Sequence, residues 1–130
     1  MKILLISSDP RVRDAMAAMT RSVNRATGEE PEFLEARDGI RGLALAWRYL
    51  PDVVVADEIA SRAGAFAVAR ELKTADPAFR GRVIIFLDRR QDEWLARWSG
   101  ADAWFVKPVN PFDIADTVTR FVGDDQREAV

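Results

Sequence analysis

With no cysteine and no histidine among its 130 residues, this chain must do any chemistry with carboxylates, hydroxyls and cationic side chains. Thiolate nucleophiles, sulfur-ligated metals, imidazole acid–base pairs and imidazole phosphocarriers are all excluded. The polar groups that stand out close apolar runs. "KILLISSDP" ends on Ser7, Ser8 and Asp9, "PDVVVAD" on Asp57, "RVIIFLD" on Asp88 and "AWFVKP" on Lys107. Brought to one place, they would form a mixed-charge site of acids, hydroxyls and one ammonium. Two other chemistries find no footing. "SSDPRVRD" lacks the glycines of a phosphate-cradling loop, and no nucleophile–base pair is apparent, so the chain does not read as an enzyme.

The elements that must position these groups follow from hydrophobic periodicity. "KILLIS", "EFLEAR", "DVVVAD", "RVIIFLD" and "AWFV" are short apolar runs that read as strands, the third central and β-branched. Between them lie helical patterns. Val12, Met16, Met19 and Val23 form one core stripe, and Ile40, Leu43 and Trp47 are expected to face inward from the second helix, which Pro51 closes. The loop "EIASRAG" leads to a helix through Phe66, Ala69 and Leu72. "QDEWLARWSG" is a short helix stopped near Gly100, and "LDRRQDE" before it reads as a solvated loop. Asn110 is a natural N-cap with Pro111 in the first helical position, and Ile114, Val118 and Phe121 face the core from the last helix.

Five strands alternating with five helices imply right-handed crossovers and an α/β fold, a doubly wound five-stranded parallel sheet clad on both sides. Ligand chemistry in such sheets sits at the carboxyl ends of the strands, where Ser7, Ser8, Asp9, Asp57, Asp88 and Lys107 fall. The length suits one domain, expected over residues 1–122, with a polar C-terminal tail over 123–130. A formal net charge of −2 gives no general drive toward nucleic acid or anionic lipid. The N-terminal apolar run is too short for a membrane span or signal peptide, so a cytoplasmic protein with no direct nucleic-acid or membrane partner is expected.

On these residues the chain resembles the receiver domains of two-component response regulators, from about Lys2 to Val122. "PDVVVAD" is similar to the family's strand ending in the phosphoaccepting aspartate, which implies that role for Asp57. "SGADAWFVKPVNPFDI" resembles the segment that carries the family's lysine and switch aromatic. That implies these roles for Lys107 and Trp104, with a cis bond before Pro108. The resemblance further implies the flavodoxin-like strand order 2-1-3-4-5. The departures fall on the phosphorylation site. The family's pair of Mg²⁺-binding acids aligns with Ser7 and Ser8, leaving Asp9 as its optional third acid. The family's phosphate-binding hydroxyl aligns with Asp88. The loop before Gly64 and the segment from Asp88 to Lys107 are both shorter than the family's.

Phosphoryl transfer to a carboxylate needs its negative charge neutralised, and Mg²⁺ does this through hard oxygen ligands. Serine hydroxyls replace carboxylates poorly, so only weak Mg²⁺ binding through Asp57 and Asp9 is expected, and no cofactor is called for. Asp9 would serve as a ligand only by swinging inward; Ser7 and Ser8 read equally as residues that satisfy local backbone groups and cap the following helix. An ionised Asp88 accepts hydrogen bonds and repels a phosphoryl oxygen. It pairs more naturally with Lys107, so a standing Asp57–Lys107–Asp88 cluster is expected.

Trp94 and Trp98 share one face of the short fourth helix, with Arg97 between them, and Trp104 lies in the adjacent strand. The resemblance makes the surface of the fourth helix, fifth strand and fifth helix a partner or homodimer face, although the same rings could serve the core. The function expected is a stand-alone atypical receiver that signals by protein contact, its phosphorylation site degraded. The alternative is a phosphorelay receiver modified on Asp57 by a histidine kinase, and a more remote one is a small-ligand-binding α/β domain.

Overall fold

In the computed structural model, which describes residues 1–21, 28–58 and 64–128, each apolar run forms a strand and each periodic segment a helix. The order is β1 (Lys2–Ile6), α1 (Pro10–Arg21), β2 (Glu32–Ala36), α2 (Gly39–Tyr49), β3 (Val53–Asp57) and α3 (Ala65–Thr74). There follow β4 (Arg82–Leu87), a 3₁₀ turn (Arg90–Asp92), α4 (Glu93–Ser99), β5 (Ala103–Val106) and α5 (Pro111–Glu128). All strand pairs are parallel and the sheet runs β2-β1-β3-β4-β5. Val23 and most of the "EIASRAG" loop lie outside the described residues, and of Met19 only its place in α1 is described.

The period-two alternation of the strands separates two cores. Leu4, Ile6, Val54, Ala56, Val83 and Ile85 point to the side covered by α2, α3 and α4. Ile3, Leu5, Val53, Val55, Ile84 and Phe86 meet Met16, Ile114 and Val118 of α1 and α5 on the other. Burial on both faces explains why these runs are continuously apolar rather than alternating with polar residues.

Several expectations are corrected. Ile40 and Trp47 do not face inward: both are exposed, and α2 buries Gly39, Gly42 and Ala46 instead. A Cβ on Gly42 would collide with the Ile6 side chain, so the helix reaches β1 only by presenting small residues. Most of the stretch expected as a polar tail continues α5 to Glu128. Asp125 on that stretch pairs with Arg82 at 2.6 Å. The "LDRRQDE" segment is not simply a solvated loop, because Asp92 is buried within it.

Helix ends follow their local chemistry. Asp9 caps α1 ahead of Pro10, its side chain accepting the Arg11 N–H at 2.9 Å. Asn110 does the same for the Phe112 N–H at 2.9 Å, and Pro111 opens α5. Gly100 ends α4 in the left-handed region at φ 83°. At the end of α2 that conformation falls on Leu50, at φ 48°.

Candidate functional site

The register of the sheet brings the strand tips level. Ala36, Ile6 and Ala56 are in line, as are Asp57 and Phe86, and Leu87 and Val106. Backbone hydrogen bonds carry the alignment past the strands: Ser7 N–H donates to Ala36 O at 3.1 Å, Glu58 N–H to Phe86 O at 2.9 Å, and Lys107 N–H to Leu87 O at 2.8 Å. The polar residues that close β1, β3, β4 and β5 therefore meet at one end of the sheet.

Asp57 is almost wholly buried there, at 3% exposure. Its two oxygens are held from opposite sides. The Ser7 hydroxyl donates to Oδ2 at 2.9 Å, and Lys107 Nζ donates to Oδ1 at 2.5 Å. The same ammonium donates to Asp88 Oδ1 at 2.7 Å, so Lys107 bridges the two carboxylates. Burial opposes its charge, but the hydrogen bonds to Asp57 and Asp88, backed by both negative charges, prevail and raise its pKa above the ordinary lysine value. The peptide bond from Lys107 to Pro108 is cis, as is that from Asp76 to Pro77.

Ser8 is exposed. Asp9 takes the Arg11 side chain and N–H, and these hydrogen bonds hold its carboxyl below the usual carboxylate range. The Ser7 hydroxyl also accepts the Asp9 N–H at 3.2 Å.

The donor set does not fit a Mg²⁺ ion. The ion calls for near-octahedral hard oxygens, with one or two carboxylates among them. Here Asp57 is engaged by an ammonium and a hydroxyl, Asp88 by the same ammonium, and Asp9 by Arg11. Among the described residues no group of three or more acids is placed to hold a metal.

Two acids that the sequence reading did not single out belong to the same cluster. Glu58 follows Asp57 and accepts the Asp88 N–H at 2.5 Å, which fixes the β4 tip. Burial, then a hydrogen bond shared with Asp92, raises the Glu58 pKa, while that bond lowers the pKa of Asp92. The two carboxyls thus titrate as a pair, with Glu58 the one that takes up a proton first as pH falls. Arg89 donates to Asp92 at 3.4 Å. Arg13 is a third unforeseen contributor, donating from Nη1 to the Ser7 carbonyl at 2.6 Å.

The tryptophans lie apart from this cluster. Trp94 and Trp98 stand out from α4 at 63% and 52% exposure. The Arg70 guanidinium covers the Trp98 ring, 4.8 Å from its centroid. Trp104 is half-buried against the α4 side of the sheet, with Arg97 at 5.9 Å. An open cavity of about 420 Å³ follows, lined by Trp104, Phe105, Thr117, Arg120 and Phe121 among others. No helix among the described residues is long and apolar enough to cross a membrane.

No family model matches the chain. It is 36% identical over 115 residues to the response regulator PleD of Caulobacter vibrioides, covering 81% of this chain and 25% of that protein. With the DNA-binding dual master transcriptional regulator RpaA of Synechocystis it shares 30% identity over 122 residues, 92% of this chain and 46% of that one. The chain thus spans about a quarter to a half of the length of these relatives. Among solved structures, the receiver domain of the sensor histidine kinase PA1611 from Pseudomonas aeruginosa matches with a TM-score of 0.79 at 20% identity, covering 94% of this chain and 97% of that one. That domain holds a magnesium ion in its active-site cleft. The receiver domain of a DNA-binding response regulator from Colwellia psychrerythraea matches with a TM-score of 0.80 at 19% identity, over 95% and 98% of the two chains.

Proposed function

The chain is a receiver domain of the response-regulator family, and we propose that it signals by protein contact from a phosphorylation site that has been disarmed. One observation carries this reading: Lys107 Nζ lies between Asp57 Oδ1 at 2.5 Å and Asp88 Oδ1 at 2.7 Å. A phosphodonor approaching Asp57 is anionic and needs a cation to lower the repulsion. Lys107, the cation seated on Asp57, is already shared between two carboxylates. Ser7 contributes a neutral hydroxyl where the family places an acid, and Asp88 adds a negative charge where the family places a hydroxyl.

The contact surface is the face of α4, β5 and α5. Trp94 and Trp98 offer large rings, Arg70 and Arg97 stand over two of the tryptophans, and β5 is an edge strand. Aromatic and arginine side chains of this kind anchor protein interfaces. The partner is a signalling protein, a histidine kinase or a second copy of the chain. A module of this kind turns over no substrate.

Intact-mass measurement after incubation with acetyl phosphate, with and without Mg²⁺, tests the reading. The expected spectrum is unchanged in both conditions. A gain of one phosphoryl group that disappears in Asp57→Asn would instead establish phosphorelay through Asp57.

A further inference from the structure

Helix α2 carries an apolar stripe that the fold leaves open. Ile40, Trp47 and Leu50 are 52%, 41% and 63% exposed, although the helix buries its small residues tightly. Ile40, Ala44 and Trp47 recur at spacings of four and three and so share one side of the helix. α2 is the outer helix of its layer, packed against α3 on one flank. At its carboxyl end the stripe enters an open groove of about 640 Å³. Trp47, Leu50, Pro51, Pro77, Ala78 and Phe79 line it. Trp47 meets Phe79 edge-on with ring centroids 5.7 Å apart.

The charge along the helix and around this groove leans positive. Arg41 and Arg48, seven residues apart, flank the stripe along the helix, and Arg80 lines the groove from the loop before β4. α2 contains no acidic residue. Among the described residues no carboxylate pairs with Arg41, Arg48 or Arg80. Arg48 rests on its neighbour Tyr49 at 5.3 Å. Two acids also line the groove: Asp125 is paired with Arg82 at 2.6 Å, whereas Asp52 accepts only the neutral Lys2 backbone N–H at 2.8 Å and keeps its charge. In a chain with 21 acidic and 19 basic residues, three such arginines against the one uncompensated carboxylate of Asp52 leave a local positive excess.

We propose that α2 and the groove beyond it dock an acidic amphipathic helix of a partner protein. The apolar ridge of that helix lies along Ile40 and Trp47, with a side chain inserted between Leu50 and Phe79. Its carboxylates face Arg41 and Arg48 on one flank and Arg80 on the other. This is helix-in-groove recognition, with charge setting the register. It uses the opposite outer helix from the Trp94 and Trp98 face, so it stands apart from the contact surface described above.

The test is an NMR titration of the ¹⁵N-labelled full chain with two synthetic amphipathic helices. They share leucines at helical spacing and differ only in carrying glutamates or lysines on both flanks. The glutamate peptide is expected to shift amides of residues 40–50 and 77–81, and the lysine peptide to bind at least about tenfold more weakly. The double variant Arg41→Glu, Arg48→Glu changes only exposed side chains and should invert that order. Trp47→Ala should weaken both peptides, but its contact with Phe79 also serves the fold, so the charge inversion is the deciding measurement. Failure of the glutamate peptide to bind, equal binding of the two peptides, or shifts centred on Trp94 and Trp98 would overturn the proposal. So would arginine-dependent binding to anionic phospholipid vesicles, or self-association of the chain through these same amides.

Discussion

At the scale of single residues, the proposed disarming of the site rests on three side chains, Ser7, Ser8 and Asp88. Ser7 is fully buried with its hydroxyl on Asp57, so Ser7→Asp would place a second anion against an already buried carboxylate. Without a cation that arrangement is destabilising. The triple variant Ser7→Asp, Ser8→Asp, Asp88→Thr should therefore melt lower than the parent in chelator and recover on adding Mg²⁺, because an ion bound only by the folded state stabilises it by mass action. The same variant should gain a phosphoryl group from acetyl phosphate, read by intact mass. The parent should show neither effect.

Lys107 gives a second test at this scale. Its pKa is raised in the fold, so its contribution to stability is fully present below the unfolded lysine value of about 10.4 and is lost as pH rises through the folded value. Lys107→Met leaves Asp57 buried without its cation. Because Lys107 is itself about a third exposed, the loss should be about 1–3 kcal/mol, below that for a fully buried pair. The gap between parent and variant in urea unfolding should stay constant from neutral pH to about 9 and close above about 10.5. Asp57, Asp88 and Lys107 were legible because each ends an apolar run, and the end of a strand is a place that sequence reveals. Glu58 and Asp92 were not, because their significance lies in a hydrogen bond between segments far apart in the chain. The one available signal was the position of Glu58, directly after a strand-ending acid.

At the scale of elements, α2 shows how a correct helix can be turned the wrong way. Periodicity located it, Pro51 ended it and Leu43 packs inward as expected, but Ile40 and Trp47 do not mark its buried side. The helix lies so close to β1 that only Gly42 fits against Ile6, and close approach outranks side-chain hydrophobicity. Ile40 and Trp47 are left at the surface, where they form the stripe beside the groove. Leu50 extends it at φ 48°, a conformation that costs an L-residue about 1 kcal/mol and usually falls to glycine at this position. Leu50→Gly should therefore leave stability unchanged or raise it by about 0.5–1 kcal/mol in denaturant unfolding. It should also weaken the glutamate peptide described above. A gain in stability together with a loss of binding would separate the side chain's docking role from any structural one.

For the molecule as a whole, the alternation of strands and helices was enough to anticipate a doubly wound sheet, and the strand order came with the family resemblance. The end of the domain was harder to place, because "GDDQREAV" has the composition of a tail and its anchor is distant in sequence. Arg82, at the start of β4, pairs with Asp125 at 2.6 Å and Asp102 at 3.6 Å, and its guanidinium lies 5.2 Å from the Phe121 ring centre. Lys73 of α3 joins the same Asp102 at 2.6 Å. Elements from both faces of the sheet thus converge on the end away from the acidic cluster, and the last turns of α5 are part of that clamp. Truncation after Val122 should cost about 1 kcal/mol, the sum of a part-exposed ion pair and lost helix, and lower the melting temperature by roughly 3–6 °C. Arg82→Met in the full chain should reproduce most of that loss, and truncating the Arg82→Met chain should add little to it. Additive losses would mean that the segment beyond Val122 stabilises the fold by another route.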